Sequence, residues 1–238
     1  MIPYIIINGV SSKHINGLLI QSLPPISKPK MRTSIEEIDG RDGDIVTVLG
    51  YAAYDKPITI GLKGDYNVDD VIEYFNTSGK IIFSNELDKY YNFATYNTID
   101  FNKLIRFKTA NINIHVQPFK YSVDEPPITV NNTGGTIANI SVRNTGNIYS
   151  KPKLTITGKD TITVYLNNKQ IFSIDLSAAS ETIIIDAAEM NAIDSEGNYL
   201  NRQVTGDYEN LRLNTGVNDL RVTGNYSTIT LENYSRWI

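Results

Sequence analysis

Cysteine is absent from the 238 residues, tryptophan occurs once and histidine twice. The first absence excludes disulfides, thiolate nucleophiles and cysteine-based zinc or iron–sulfur centres, and it is compatible with folding in a cytoplasm. With only His14 and His115, a histidine-dependent triad or a two-histidine metal site has almost no material. Long hydrophobic runs are missing as well. No apolar stretch approaches the roughly 20 residues of a membrane-spanning helix. The opening run Ile5-Ile6-Ile7 is shorter than the apolar core of roughly 7 to 15 residues in a secretory signal, and no early Lys or Arg precedes it. That start reads as a first strand of a soluble protein. Charge of one sign is scarce too. The net charge is -4, from 22 Lys+Arg and 26 Asp+Glu, and it divides evenly on either side of Pro127. Phosphate binding leaves a basic stripe, so neither half reads as a nucleic-acid binder. No glycine cluster has the arrangement of a phosphate-cradling loop.

What is present is β patterning. At 41% hydrophobic and 20% charged residues the chain is globular, and its length allows two compact units, each able to bury a core. The boundary falls at Asp124-Glu125-Pro126-Pro127, where consecutive prolines remove backbone donors and keep the preceding residues out of helical geometry. This predicts domains at residues 1–125 and 126–238. In the first, Asn67 can cap one helix with Asp69 and Asp70 in its first turn, Val68, Ile72 and Phe75 on one face, and Gly79 as its stop. Strands are predicted at Lys80–Ser84, Asp88–Ala94, Ile105–Phe107 and Asn111–Val116, the last with strict alternation that turns His115 away from Ile112, Ile114 and Val116. In the second, short strands recur about every ten residues: 128–130, 137–142, 153–157, 161–166, 170–174, 182–186 and 228–231. Asn167-Asn168 forms a two-residue hairpin turn. That spacing indicates an antiparallel sandwich or barrel.

The chemistry-bearing candidates are few. Asp39, Asp42 and Asp44 are close enough to tempt a calcium reading, but they lack the EF-hand spacing, and Gly50 stands where the closing Glu would be. The alternative is a tight turn in which Gly40 and Gly43 take positive φ and Arg41 pairs with a carboxylate, within the chain or across a subunit boundary. Trp237 can close a core, contact a partner or stack on a sugar. A glycosidase needs two carboxylates across a cleft, and no motif nominates a pair. No cofactor or metal is called for. Gly40, Arg41, Asp42, Gly43 and Trp237 remain as structural or interface candidates.

The order of several short pieces resembles the distal tail proteins of long-tailed bacteriophages. They begin with Ile7-Asn8-Gly9, Gly17-Leu18, Ile38-Asp39-Gly40-Arg41-Asp42-Gly43 and Gly50-Tyr51 followed by an Ile58-Thr59-Ile60 strand. The single helix, the Phe83–Tyr91 segment and Gln117-Pro118-Phe119 come next. Beyond the linker follow Asn144-Thr145-Gly146-Asn147, the stretch from Ser150 to Gly158, Ile184-Ile185-Asp186, Leu211–Asn218 and Arg236-Trp237-Ile238. One departure is the loop Asn214-Thr215-Gly216-Val217-Asn218, where the family's usual Gly-x-Asn carries extra polar residues. The resemblance implies a mainly β protein: an N-terminal ring-forming barrel or sheet domain with one helix, and a C-terminal galectin-like antiparallel β-sandwich. It further implies a hexameric ring between the tail tube protein and the tail-tip hub, through which DNA passes without specific binding. Receptor-binding proteins would attach outside it, no membrane would be involved, and the particle would be a virion assembled in the bacterial cytoplasm. A module that binds host cell-wall carbohydrate, carried by 128–238, and a wall-degrading enzyme are the alternatives.

Overall fold

The computed structural model describes residues 2–94, 101–177 and 181–238, with 101–103 as backbone only. It is mainly β and divides into two compact units, Met1–Val123 and Asp124–Trp237.

The first unit contains β1 (Ile5–Ile7), β2 (Val10–Ser11), β3 (Leu18–Ser22), β4 (Met31–Glu37), β5 (Asp44–Tyr51), β6 (Tyr54–Leu62), α1 (Val68–Phe75), β7 (Ser78–Phe83), β8 (Lys89–Ala94), α2 (Phe101–Phe107) and β9 (Thr109–Ser122). Seven of its strands pair antiparallel in the order β2-β1-β7-β8-β9-β6-β3. The alternation in β9 buries Ile112, Ile114 and Val116 and leaves His115 partly exposed beside its cross-strand neighbour Asp55, Nδ1 to Oδ1 2.8 Å. Ile5, Ile58, Ile60, Ile81 and Phe83 from the other strands join Phe75 of α1 in one core.

Three local expectations are corrected. Ile105–Phe107 is the end of a second helix, α2: Leu104 is buried and the three residues after it are all exposed, which does not follow the alternation of a strand. In α1, Asn67 does cap, accepting from the Asp69 N–H at 3.0 Å, but the buried residues are Val71, Tyr74 and Phe75, with Val68 and Ile72 half-buried. The face is rotated because the Tyr74 hydroxyl reaches two carbonyls, Val10 at 3.1 Å and Ile5 at 3.3 Å, so a residue that reads as polar is drawn inward. The helix stops at Asn76, whose N–H donates back to Ile72 and Glu73, while Gly79 lies within β7.

The second unit contains β10 (Ile128–Asn131), β11 (Ile137–Asn144), β12 (Lys153–Leu166), β13 (Lys169–Asp175), β14 (Glu181–Asp186), β15 (Asn191–Ile193), β16 (Val204–Gly206), β17 (Gly216–Glu232) and β18 (Arg236–Trp237). Segments 153–157 and 161–166, expected as separate strands, are one long strand that changes register between them. The first part of β12 pairs with β14 and the end of β17, and the second part with β13 and the start of β17. Two long strands thus run through both layers and turn the corner together, as strands that switch sheets do at bulges. The corner is tight. A Cβ on Gly224, whose φ is +133, would lie 2.7 Å from the Thr161 carbonyl oxygen, and one on Gly158 would lie 2.7 Å from that of Asn225. The layers enclose one core that includes Leu154, Ile156, Val164, Phe172, Ile185, Leu220 and Ile229. Asn167 and Asn168 take positive φ, 49 and 67, and form the β12–β13 turn.

Candidate assembly surface

β4 and β5 form a two-stranded sheet of their own and pair with no other described strand. Arg32 to Glu37 and Asp44 to Leu49 both have high β content, and the turn between them contains two glycines, so the segment forms a hairpin without help from a core. Its root is fixed. Tyr51 packs edge-to-face on Phe119 of β9 at 5.4 Å. The run into β4 is held by the Tyr54 hydroxyl, which donates to the Ser27 carbonyl at 3.1 Å, and by the Lys56 ammonium, which donates to that of Pro25 at 3.2 Å.

Lys56 is 2% exposed, and its Nζ lies 4.8 Å from the centre of the Tyr91 ring and 5.4 Å from that of Tyr54. Burial pushes its pKa down, while the nearby Glu86 carboxylate, itself 2.5 Å from Lys120 Nζ, opposes the shift. Burial also raises the Tyr91 hydroxyl well above its ordinary value. A buried cation resting on aromatic faces with a carbonyl acceptor is a stable anchor for the hairpin root.

Beyond the root the hairpin is bare. Ile35 pairs directly with Val46, Thr33 with Val48 and Glu37 with Asp44, so these six share one face by the period of two. Ile35 is 59% exposed, Val46 57% and Val48 55%, and Leu49 sits at a register shift with 59% exposure. The opposite face carries Ser34, Glu36, Ile45 and Thr47. Apolar β-branched residues along an unpartnered ribbon, with backbone donors and acceptors open on its outer edges, form a surface that another chain can cover.

Four of the residues singled out by sequence lie together at the tip. Gly40 and Gly43 take φ of +81 and +77, and the Arg41 N–H donates to the Ile38 carbonyl at 3.1 Å. The Arg41 guanidinium meets no carboxylate among the described residues. Glu36, Glu37, Asp39, Asp42 and Asp44 crowd the tip against that one cation, and Glu37 faces Asp44 directly, an opposition that costs stability in an isolated hairpin. No three His, Asp or Glu side chains converge as a metal set among the described residues. Trp237, half-buried, belongs to the other unit. His14 borders a cavity of about 460 Å³ with Asp70, Glu73 and Tyr74.

In the second unit the amide side chains shape the loops. Buried Asn144 donates to the Ile148 and Leu213 carbonyls and accepts from the Gly146 N–H. Asn218, 1% exposed, closes the loop that departs from the family pattern: it accepts from the Asn214 N–H and donates to the Asn214 carbonyl at 2.7 Å. The Glu125 carboxylate, just before the prolines, accepts from the Ser235 N–H and hydroxyl and from Asn233.

The chain as a whole is similar to a solved structure, the Dit protein of phage SPP1, described as a paradigm of hub adsorption apparatus in phages infecting Gram-positive bacteria. The TM-score is 0.65 at 18% identity, over 98% of this chain and 99% of that one. The fold is that of SPP1 Dit. No family model and no curated protein matches the sequence. The match therefore rests on architecture, over nearly the whole length of both chains. Sequence reasoning found the tip and missed the ribbon. Ile35, Val46 and Val48 went unassigned, although the short alternating segments on either side of Gly40–Gly43 were the available signal.

Proposed function

We propose that this protein is a structural component of a phage tail tip. It forms a hexameric ring through its residue 1–125 domain, joining the tail tube protein to the tail-tip hub, with the residue 126–238 galectin-like sandwich directed outward to anchor receptor-binding proteins. The single observation carrying this reading is the full-length match to SPP1 Dit. The bare hairpin supports it, because a ribbon with Ile35, Val46 and Val48 more than half exposed is costly to leave in water unless a neighbour covers it. The role is non-enzymatic. DNA passes through the lumen without specific binding, and the net charge of -4 agrees with a channel that does not hold phosphate. The protein works in the virion after assembly in the host cytoplasm.

Mass photometry over a concentration series, with electron microscopy of the full chain alone and with tube and hub proteins, tests this. Six-subunit rings are the expected result. A chain that stays monomeric under every condition overturns the reading.

A second reading has one observation behind it. Tyr199 is 74% exposed and borders, with Arg202 and Gln203, a concavity of about 450 Å³, a combination suited to stacking and hydrogen bonding of a sugar ring. A glycan array on the full chain decides it. Binding of wall polysaccharide that Tyr199→Ala abolishes supports a carbohydrate-binding role, and no binding at millimolar ligand ends it.

A further inference from the structure

The hairpin has a chemical counterpart on the same chain. The end of α2 is held by buried Leu104 and presents Phe107 at 59% exposure and Ile105 at 40%. Cations surround them. Arg106 lies between the two, and Lys108 follows with its ammonium against the hydroxyl and ring of Tyr66. Lys63 is adjacent through the backbone, since the N–H of Leu62 donates to the Lys108 carbonyl at 3.1 Å. This surface is apolar in the middle and cationic around it. The hairpin is apolar along one face and anionic at its tip. Both are open to solvent in the single chain, so neither covers the other.

We propose that the β4–β5 hairpin of one copy docks on the α2 end of a second copy. Ile35, Val46 and Val48 meet Ile105 and Phe107, while the tip carboxylates meet Lys63, Arg106 and Lys108. Complementary charge selects this occupant: a second hairpin would bring acidic tips together, and two α2 ends would bring cations together. The two surfaces differ, so the contact is heterologous. Each copy uses one surface on each neighbour, and the contact propagates head to tail until the rotation closes a ring. The contact rests on the ring reading above and names the surfaces that make it.

The absence of cysteine makes the test clean. In the full-length chain, the double variant I35C/F107C under mild oxidation should give a covalent ladder ending in one closed species, while each single variant gives dimers at most. Independently, R106E/K108E should weaken assembly about tenfold or more, and adding E37K/D44K, the two carboxylates on the same face as Ile35 and Val46, should restore it, with melting temperatures showing that every variant folds. Rings that form normally while the double variant gives no ladder and charge reversal has no effect would overturn this contact, leave the ring reading standing, and assign the hairpin to a tube or hub protein instead. A chain that forms no oligomer, alone or with those partners, overturns both.

Discussion

β5 and β14 are built from the same kinds of residue and end in opposite surroundings. Ile183 and Ile185 of β14 are fully buried between the layers of the second unit, whereas Val46, Val48 and Leu49 of β5 are each more than half exposed. Local preference for extended backbone is satisfied in both. The difference lies in what covers them: β14 has a facing layer and paired neighbours on both edges, β12 and β15, whereas β5 has only β4. Burying one such side chain contributes about 1.5–3 kcal/mol. β14 has collected that stabilisation within the chain and β5 has not; under the proposed docking a second copy supplies it. Residues that serve the fold and residues that the proposed docking assigns to assembly are thereby separable by mutation.

The largest effect should come from the buried side. Phe172→Ala in β13 removes a fully buried ring from the second core and should cost about 3–5 kcal/mol in urea unfolding of the full chain. A cost under 1 kcal/mol would mean that this core is not the main support of the unit. Gly224→Ala attacks the corner that lets β17 serve both layers. At φ +133, with its Cβ 2.7 Å from the Thr161 carbonyl oxygen, it should lose about 2–3 kcal/mol. Lys56→Met sits between the two classes. It leaves the Pro25 carbonyl without its ammonium donor and should cost about 1–2 kcal/mol. It should also speed hydrogen exchange in β4 and β5 relative to β14, because the run into the hairpin loses an anchor. Uniform acceleration everywhere would show that Lys56 supports the whole unit and has no special relation to the hairpin.

How much of this could be seen in the sequence follows the same division. Alternation around Ile112, Ile114 and Val116 correctly placed the core face of β9, and Asn167-Asn168 correctly gave a turn, because periodicity and turn chemistry are local. The α1 face was misplaced since a tyrosine hydroxyl that finds two carbonyls 64 and 69 residues away in the chain is a long-range fact. The merging of 153–157 and 161–166 was hidden for a similar reason. An interruption at Gly158-Lys159-Asp160 reads locally as a turn, and only the facing Gly224 shows it to be a corner. At the candidate surface, Gly40 to Gly43 stood out through glycine and charge. The ribbon residues did not, because hydrophobic β-branched residues in a strand normally mean core, and exposure is a property of the tertiary structure.

The smallest effect on stability is expected where the effect on assembly is large. Val46→Ser/Val48→Ser replaces two exposed apolar side chains with small polar ones, and since neither is buried in the single chain, unfolding free energy should change by no more than about 0.5 kcal/mol. Some of even that change would come from the lower strand preference of serine, a cost confined to a hairpin whose root is held separately by Tyr51, Tyr54 and Lys56. Oligomer formation followed by mass photometry should nevertheless fall steeply, because both side chains lose their burial in every interface of a closed ring at once. The equivalent change in β14, Ile183→Ser/Ile185→Ser, should reverse the pattern and unfold the second unit before assembly can be measured. If the β5 variant lost stability as the β14 variant does, the hairpin would be part of the chain's own fold, and the exposed valines would have no claim to be an assembly surface.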